Sequence, residues 1–233
     1  MKALATAFYL IAAWAGSAAA APVDLALVFA VDCSSSVSRA EYNLQMAGIG
    51  AALRDPAVVA AAGSGPNGRI AINVMTWGEP DYPKFQSGWF EIHDEASAEV
   101  AAEMASHFEG RMGGGTGIGN AIGYGITLLE TSGFDAERKV IDVSGDGVES
   151  GEIRSPRFNL ALAQRLRAAR GVIVNGLAIE NDEPGLEAYY AANVAGGPGS
   201  FVMAVNRYED FARAMRIKLL REVLPATASA APP

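Results

Sequence analysis

Apolar runs of strand length alternate along this chain with apolar stripes at helical spacing. Leu25–Val31 (LALVFAV) is apolar at every position. An unbroken, β-branched-rich run of that length predicts a strand buried on both faces. It breaks at Asp32-Cys33-Ser34-Ser35-Ser36. Ser38-Arg39-Ala40-Glu41 then spells a capping box, a helix start in which side chain and backbone satisfy each other's N–H groups. Tyr42, Met46, Ile49 and Leu53 fall on one stripe of the helix that follows. The stripe stops at Asp55-Pro56, because the residue before a proline disfavours helical torsions. After a loop at Gly63–Gly68, Arg69–Trp77 (RIAINVMTW) reads as a second buried strand. Phe85–Ile92 (FQSGWFEI) is more polar and follows a Pro/Gly turn, which predicts an antiparallel edge strand reached by a hairpin. Asp94 can cap a helix running to about Phe108.

The second half repeats the alternation. Gly113–Asn120 (GGGTGIGN) leads into a helix carrying Ile122, Ile126 and Leu129. Arg138–Ser144 (RKVIDVS) is the next buried strand, ending in Gly145-Asp146-Gly147. Pro156–Arg170 predicts a helix with Leu162, Leu166 and Ala169 inward, arginines in its last turn and Gly171 as its stop. Val172–Ile179 is a strand, Asn181–Gly185 a loop, Leu186–Asn193 a short helix and Phe201–Val205 a last short strand. Tyr208–Leu224 closes the pattern with Phe211, Met215 and Leu219 in a stripe. Strands alternating with helices predict an α/β fold with a mostly parallel sheet covered on both faces. No internal repeat and no second domain is evident.

The ends read differently. Residues 1–20 carry Lys2, an apolar stretch Ala3–Ala15 too short to span a bilayer comfortably, and a small-x-small site at Ala18-Ala19-Ala20. That is the layout of a secretory signal peptide cut after Ala20. It predicts a periplasmic or secreted protein, with the domain proper at 21–224 and no membrane span. Residues 225–233 (PATASAAPP) have nothing to bury, which predicts a disordered tail. Cys33 is the single cysteine, so no intrachain disulfide can form; it reads as a small buried residue, with a reactive thiol as the alternative. The 18 Lys and Arg stand against 26 Asp and Glu, a net charge of −8. Loss of Lys2 would make it more negative still. That balance argues against nucleic acid and anionic membrane surfaces as partners.

Chemistry concentrates where buried strands end. Asp32, Ser34 and Ser36 alternate, so a tight loop can turn three oxygens to one point; the same residues also suit a plain turn and N-cap. A carboxylate with two hydroxyls is a hard-oxygen set, fit for Mg²⁺ rather than zinc or copper. In open parallel sheets, ligands bind at the carboxyl ends of the strands. The glycine loop at 113–120 is neither a dinucleotide fingerprint nor a phosphate loop. From Gly115 the sixth position is Asn120, a helix precedes the loop, and no Gly-Lys-Ser/Thr is present. It offers close backbone approach and one hydroxyl, Thr116. Asp142-x-Ser144-x-Asp146-Gly147 imitates the start of an EF-hand, but the twelfth position is Ile153, with Glu152 out of register.

These loops resemble the metal-ion-dependent adhesion site (MIDAS) of von Willebrand factor A domains: Asp-x-Ser-x-Ser, a glycine-flanked threonine, then a strand ending in Asp-Gly. AVDCSSSVS, GGGTGIGNAI, VIDVSGDG, VNGLAIENDEP and GGPGSFV together resemble a bacterial secreted family of this type with no assigned function. The resemblance runs from about Val23 to Leu224. It implies a Rossmann-like, doubly wound sheet of strand order 3-2-1-4-5-6 with one antiparallel edge strand. It also implies that Ser34 and Ser36 bind the metal directly, that Thr116 joins when ligand is bound, and that Asp32 and Asp146 act directly or through water. The metal expected is Mg²⁺, with Mn²⁺ or Ca²⁺ as alternatives. Hydroxyl ligands leave such an ion under-neutralised, so the expected partner is a protein presenting an Asp or Glu. One departure stands out. The family at large has Ser/Thr-Asp-Gly, whereas here Gly145 precedes Asp146, which bears on the reach of Asp146 and makes Asp142 a second candidate.

Three functions are compatible with these residues. The first is a metal-dependent binding module; the second is a module whose metal only braces its loops; the third is a metal-assisted hydrolase. The sequence favours the first and predicts no enzyme. Asp32 has no second aspartate at Ser34, as a phosphatase nucleophile would want, and no Gly-x-Ser-x-Gly elbow is present. His93 and His107 lie in no motif. Trp77, Trp89 and Phe90 read as packing of the core or sheet rim. Asn181–Pro184 reads as a solvated turn, with a rim to the ligand site as the alternative.

Overall fold

The structure is a computed structural model describing residues 20–79, 84–150 and 159–224. The expected leader and tail, and the first residues of the helix expected from Pro156, lie outside the described residues.

Six strands form one sheet: β1 (Ala21–Asp32), β2 (Ile70–Trp77), β3 (Phe85–Ile92), β4 (Phe134–Gly145), β5 (Ile173–Ile179) and β6 (Val202–Val205). Their order is β3-β2-β1-β4-β5-β6, with only β3 antiparallel to its neighbour. The mostly parallel sheet expected from the alternation is therefore present, in the doubly wound order that the resemblance implied. Its order sets the carboxyl ends of β1 and β4 side by side, with Val31 paired to Ser144.

β1 shows why its sequence is apolar throughout. Leu25, Leu27, Phe29 and Val31 enter one core; Ala26, Val28 and Ala30 enter the other. The first core lies under α1 (Arg39–Leu53), α2 (Pro56–Ala62), α3 (Glu95–His107) and α7 (Phe211–Val223). The second lies under α4 (Ile118–Glu130), α5 (Leu160–Ala169) and α6 (Leu186–Asn193). Truncating a residue such as Phe29, fully buried at the centre, costs about 3–5 kcal/mol.

Local signals set the element ends. Ser38 and Glu41 form the capping box on α1, and Asp94 caps α3. α1 buries Tyr42, Met46, Ile49 and Leu53 as expected, and α7 buries Phe211, Met215 and Leu219. Two expectations need correction. Pro56 does not only end a helix: Asp55 accepts from Ala57 N and caps α2, with Pro56 in the first turn, where its missing N–H costs nothing. In α5 the buried residue is Ala163, while Leu162 is 37% exposed and Ala169 is also exposed. The cause is close packing. A Cβ on Gly119 of α4 would lie 2.6 Å from the backbone at Asn159 and Leu160, so the start of α5 approaches α4 too closely for a large inward side chain, and the small Ala163 is the residue buried. Among the described residues no helix is long and apolar enough to cross a membrane.

Candidate metal site

Asp32 ends β1 and Asp146 follows β4, so adjacent strands deliver two carboxylates to one sheet edge. The 32–37 loop turns tightly: Ser34 N donates to Asp32 Oδ1 at 2.8 Å, and Val37 N to Ser34 O at 3.2 Å. This turn sets Ser34 Oγ and Ser36 Oγ 3.0 Å apart. Ser36 Oγ donates to Asp146 Oδ1 at 2.7 Å, so Asp146 reaches the first loop despite Gly145. Thr116 comes from the glycine loop and stands beside Gly147, where a Cβ would lie 3.4 Å from its hydroxyl. Asp32, Ser34, Ser36 and Asp146 thus lie together, with Thr116 next to the turn that carries Asp146. Asp142 is not: its side chain meets Lys218 on the α7 face, 2.6 Å away, and takes no part in the cluster.

Backbone bonds tie the three loops to each other. Cys33 N donates to Trp77 O, Ser35 N to Gly114 O, Gly113 N to Cys33 O and Gly117 N to Gly78 O. Cys33 is buried and its thiol points at Trp77 O and Arg111 O, both at 3.1 Å. Burial, and then the charge of Asp32, push that thiol up to about 12, so at neutral pH it is a packed, protonated group and not a nucleophile. Thr116 N donates to Ser150 Oγ, and Ser150 N returns a bond to Thr116 O. α4 has no side-chain cap of its own at Gly117; Glu149 Oε2, from the Asp146 loop, accepts from Gly119 N at 3.0 Å instead.

The electrostatics are those of two negative charges held close. Asp32 is wholly buried and Asp146 nearly so. Burial, and then the charge of Asp146, push the Asp32 carboxyl up to about 7. Among the described residues neither carboxylate forms an ion pair; Asp146 is met by the hydroxyls of Ser36 and Tyr208, the latter at 2.9 Å. Asp32 Oδ2 is buried with no hydrogen-bond partner. No cluster of three or more His, Cys, Asp or Glu is present among the described residues, so the donors at this edge are carboxylate and hydroxyl oxygens. Such a set fits a hard divalent cation.

Several residues at the site escaped the sequence pattern. Gln45 of α1 donates to Asp32 O and accepts from Ser144 Oγ, joining the ends of β1 and β4. Its signal was a polar residue on the inward stripe, three positions after Tyr42. Tyr208, in a single 3-10 turn (Tyr208–Asp210) before α7, reaches Asp146; nothing local marked it. Asn181–Pro184 is an exposed turn.

Antiparallel β3 at one margin, parallel strands in the order given, and these loops at the carboxyl ends of β1 and β4 together make this a von Willebrand factor A-like domain. The chain belongs to the family described as Protein of unknown function (DUF1194), whose model matches residues 22–227. Solved structures share the fold at low identity. One is proximal thread matrix protein 1 of the mussel byssus with a zinc-occupied MIDAS motif, at 17% identity and TM-score 0.60 over 86% of this chain and 46% of that one. Another is the pilus adhesin SpaC from Lactobacillus rhamnosus GG, at 14% identity and TM-score 0.58 over 87% and 30%. A third is the vWF domain of the type V pili tip protein Mfa5 from Porphyromonas gingivalis, at 10% identity and TM-score 0.55 over 84% and 94%. The chain spans less than half the length of the first two. No curated protein matches it.

Proposed function

We propose that this protein is an exported binding module, not an enzyme. It holds a divalent cation, Mg²⁺ first, with Asp32, Ser34, Ser36, Thr116 and Asp146, and through that cation captures an acidic side chain of a protein partner. One observation carries the reading. Asp32 and Asp146 are both buried at one sheet edge, burial and then the charge of Asp146 raise the Asp32 pKa to about 7, and neither carboxylate forms an ion pair among the described residues. Burying two carboxylates without a counter-charge is costly, and a bound cation removes the cost. When bound, the cation supplies positive charge and a coordination position open to a carboxylate. Ser34 and Ser36 present neutral oxygens to it, so less of its charge is cancelled than by an all-carboxylate set. Gln45 and the loop-to-loop backbone bonds hold those oxygens in place.

The zinc-occupied MIDAS of the mussel protein and the adhesive role named for SpaC support this reading, as does the signal-like residues 1–20 for export. Calorimetric titration of the purified protein with MgCl₂ and MnCl₂ tests the cation. Retention of a glutamate-bearing peptide on immobilised protein, with Mg²⁺ and then with EDTA, tests the capture. Saturable heat together with EDTA-sensitive retention is the expected result. No heat at millimolar metal overturns the metal reading, and retention indifferent to EDTA overturns metal-dependent capture.

A further inference from the structure

Position 145 is where this chain departs from Ser/Thr-Asp-Gly, and packing shows what occupies the room. A Cβ on Gly145 would lie 2.7 Å from Asp32 Oδ2, 2.8 Å from Tyr190 Oη and 3.1 Å from Trp77 Cζ2. Gly145 has no positive φ, so space and not backbone torsion demands the glycine. Tyr190 is fully buried on the inner face of α6, four residues after buried Leu186. Trp77 ends β2 beside Asp32, its register partner.

The three side chains around this notch each carry a buried polar atom without a partner: Asp32 Oδ2, Tyr190 Oη and Trp77 Nε1. Each buried polar atom left unpaired costs about 1–3 kcal/mol, so three at one spot call for a shared explanation. They are complementary: the carboxylate accepts, the indole N–H donates and the hydroxyl does both. One buried water typically takes about three such bonds.

We propose that Tyr190, assisted by Trp77, is a positioning residue for Asp32. Its hydroxyl takes the place that a Ser or Thr side chain at position 145 would fill, beside Asp32 Oδ2, and holds that oxygen through a bridging water. The oxygen has two acceptor directions, so this contact leaves one for the metal loops. Tyr190 thereby sets the aim of the carboxylate without touching the cation. The inference rests on the metal-binding reading above.

The test is Tyr190→Phe, measured for Mg²⁺ and Mn²⁺ affinity by calorimetry and for melting temperature in EDTA. Removing an outer-shell partner of a metal ligand typically weakens metal binding 10–100-fold. We expect a loss in that range, with a melting temperature in EDTA only slightly below that of the wild type, because a single water-mediated bond is gone. Affinity within twofold of wild type overturns the positioning role. A lower melting temperature with unchanged affinity does the same and makes Tyr190 purely structural. If the wild type itself binds neither metal, the metal reading falls and takes this inference with it; the wild-type arm therefore separates the two failures. Gly145→Ala gives a second, independent reading. Its Cβ crowds the same notch, so its penalty on metal affinity should be smaller in the Tyr190→Phe background than in the wild type. Equal penalties in both backgrounds overturn the proposal.

Discussion

Asp142 and Asp146 stand four residues apart at the end of one strand, both buried, each facing a second carboxylate. Asp142 faces Glu222 of α7, and Lys218 sits between them: its Nζ lies 2.6 Å from Asp142 Oδ1 and 2.7 Å from Glu222 Oε1. Asn175 also donates to Glu222 Oε1, and Arg138 donates to the last carbonyls of α7, those of Glu222 and Val223. Asp146 faces Asp32, and the hydrogen bonds this pair accepts among the described residues come from hydroxyls and a backbone N–H. The first pair carries its counter-charge inside the fold. The second has none among the described residues and lies at the sheet edge where ligands reach α/β proteins. The same physical problem, two carboxylates out of water, is met in one place by a lysine and in the other, under the proposed function, by a cation from outside the chain.

The largest effect should come from breaking the internally compensated pair. Lys218→Met leaves Asp142 and Glu222 buried without their cation, and should cost about 3–5 kcal/mol in urea unfolding. Metal affinity should be unchanged, since Lys218 is not at the metal loops. A cost below about 1 kcal/mol would mean that the two carboxylates are relieved some other way.

Filling the other pair comes next. Mg²⁺ or Mn²⁺ at a hundredfold its dissociation constant should stabilise the fold by about 2.7 kcal/mol. For a domain of this size that is a rise of roughly 5–10 °C in melting temperature. Asp32→Asn should abolish the rise, yet melt higher than wild type in EDTA at pH 8, because one of two repelling charges is gone. A metal response that survives Asp32→Asn would place the cation elsewhere.

The two pairs share one sign of pH dependence, and Mg²⁺ should separate them. The Asp32 pKa is raised in the fold from 3.8 to about 7, so between those values the folded state holds a proton that the unfolded state has released. Stability in EDTA should therefore be greatest at the acidic end of that window and fall as pH rises towards 7, by at most about 1.4 kcal/mol per pH unit for one proton. Burial, and then Glu222, raise Asp142 as well, so it contributes a slope of the same sign. Saturating Mg²⁺ should flatten the part due to Asp32 and leave that due to Asp142. Denaturant midpoints from pH 4 to 8, with and without Mg²⁺, make the comparison; identical slopes would assign the whole effect to Asp142. The smallest effect concerns the brace between the strand ends. Gln45→Leu removes a donor to Asp32 O and an acceptor for Ser144 Oγ, and should cost about 1–2 kcal/mol in the same assay.

Much of this was legible along the chain because it is local. The burial of β1 on both faces, the capping box at Ser38 and Glu41, the cap at Asp94 and the edge character of β3 each depend on a few neighbouring residues. Parallel strands then dictate that Asp32 and Asp146 share an edge. Pro56 was ambiguous for the same local reason: it ends one helix and begins another. What escaped reading joins distant residues. Gln45 meets Ser144 across 99 positions and Tyr208 meets Asp146 across 62. Lys218 and Glu222 lie on the inward stripe of α7, where sequence spacing expects apolar residues, and only Asp142 and Asn175 opposite explain them.

By itself, then, the amino-acid order determined most of the elements, their alternation into a mostly parallel sheet and the candidate oxygens, because hydrophobic period, caps and breakers act within a turn or two of the chain. Tertiary structure alone decided which aspartate of β4 and its following turn has a lysine and which does not. It also decided that Gly145 makes room for Tyr190 and Asp32. Charge compensation and steric room are properties of whatever packs opposite, and no local pattern encodes them.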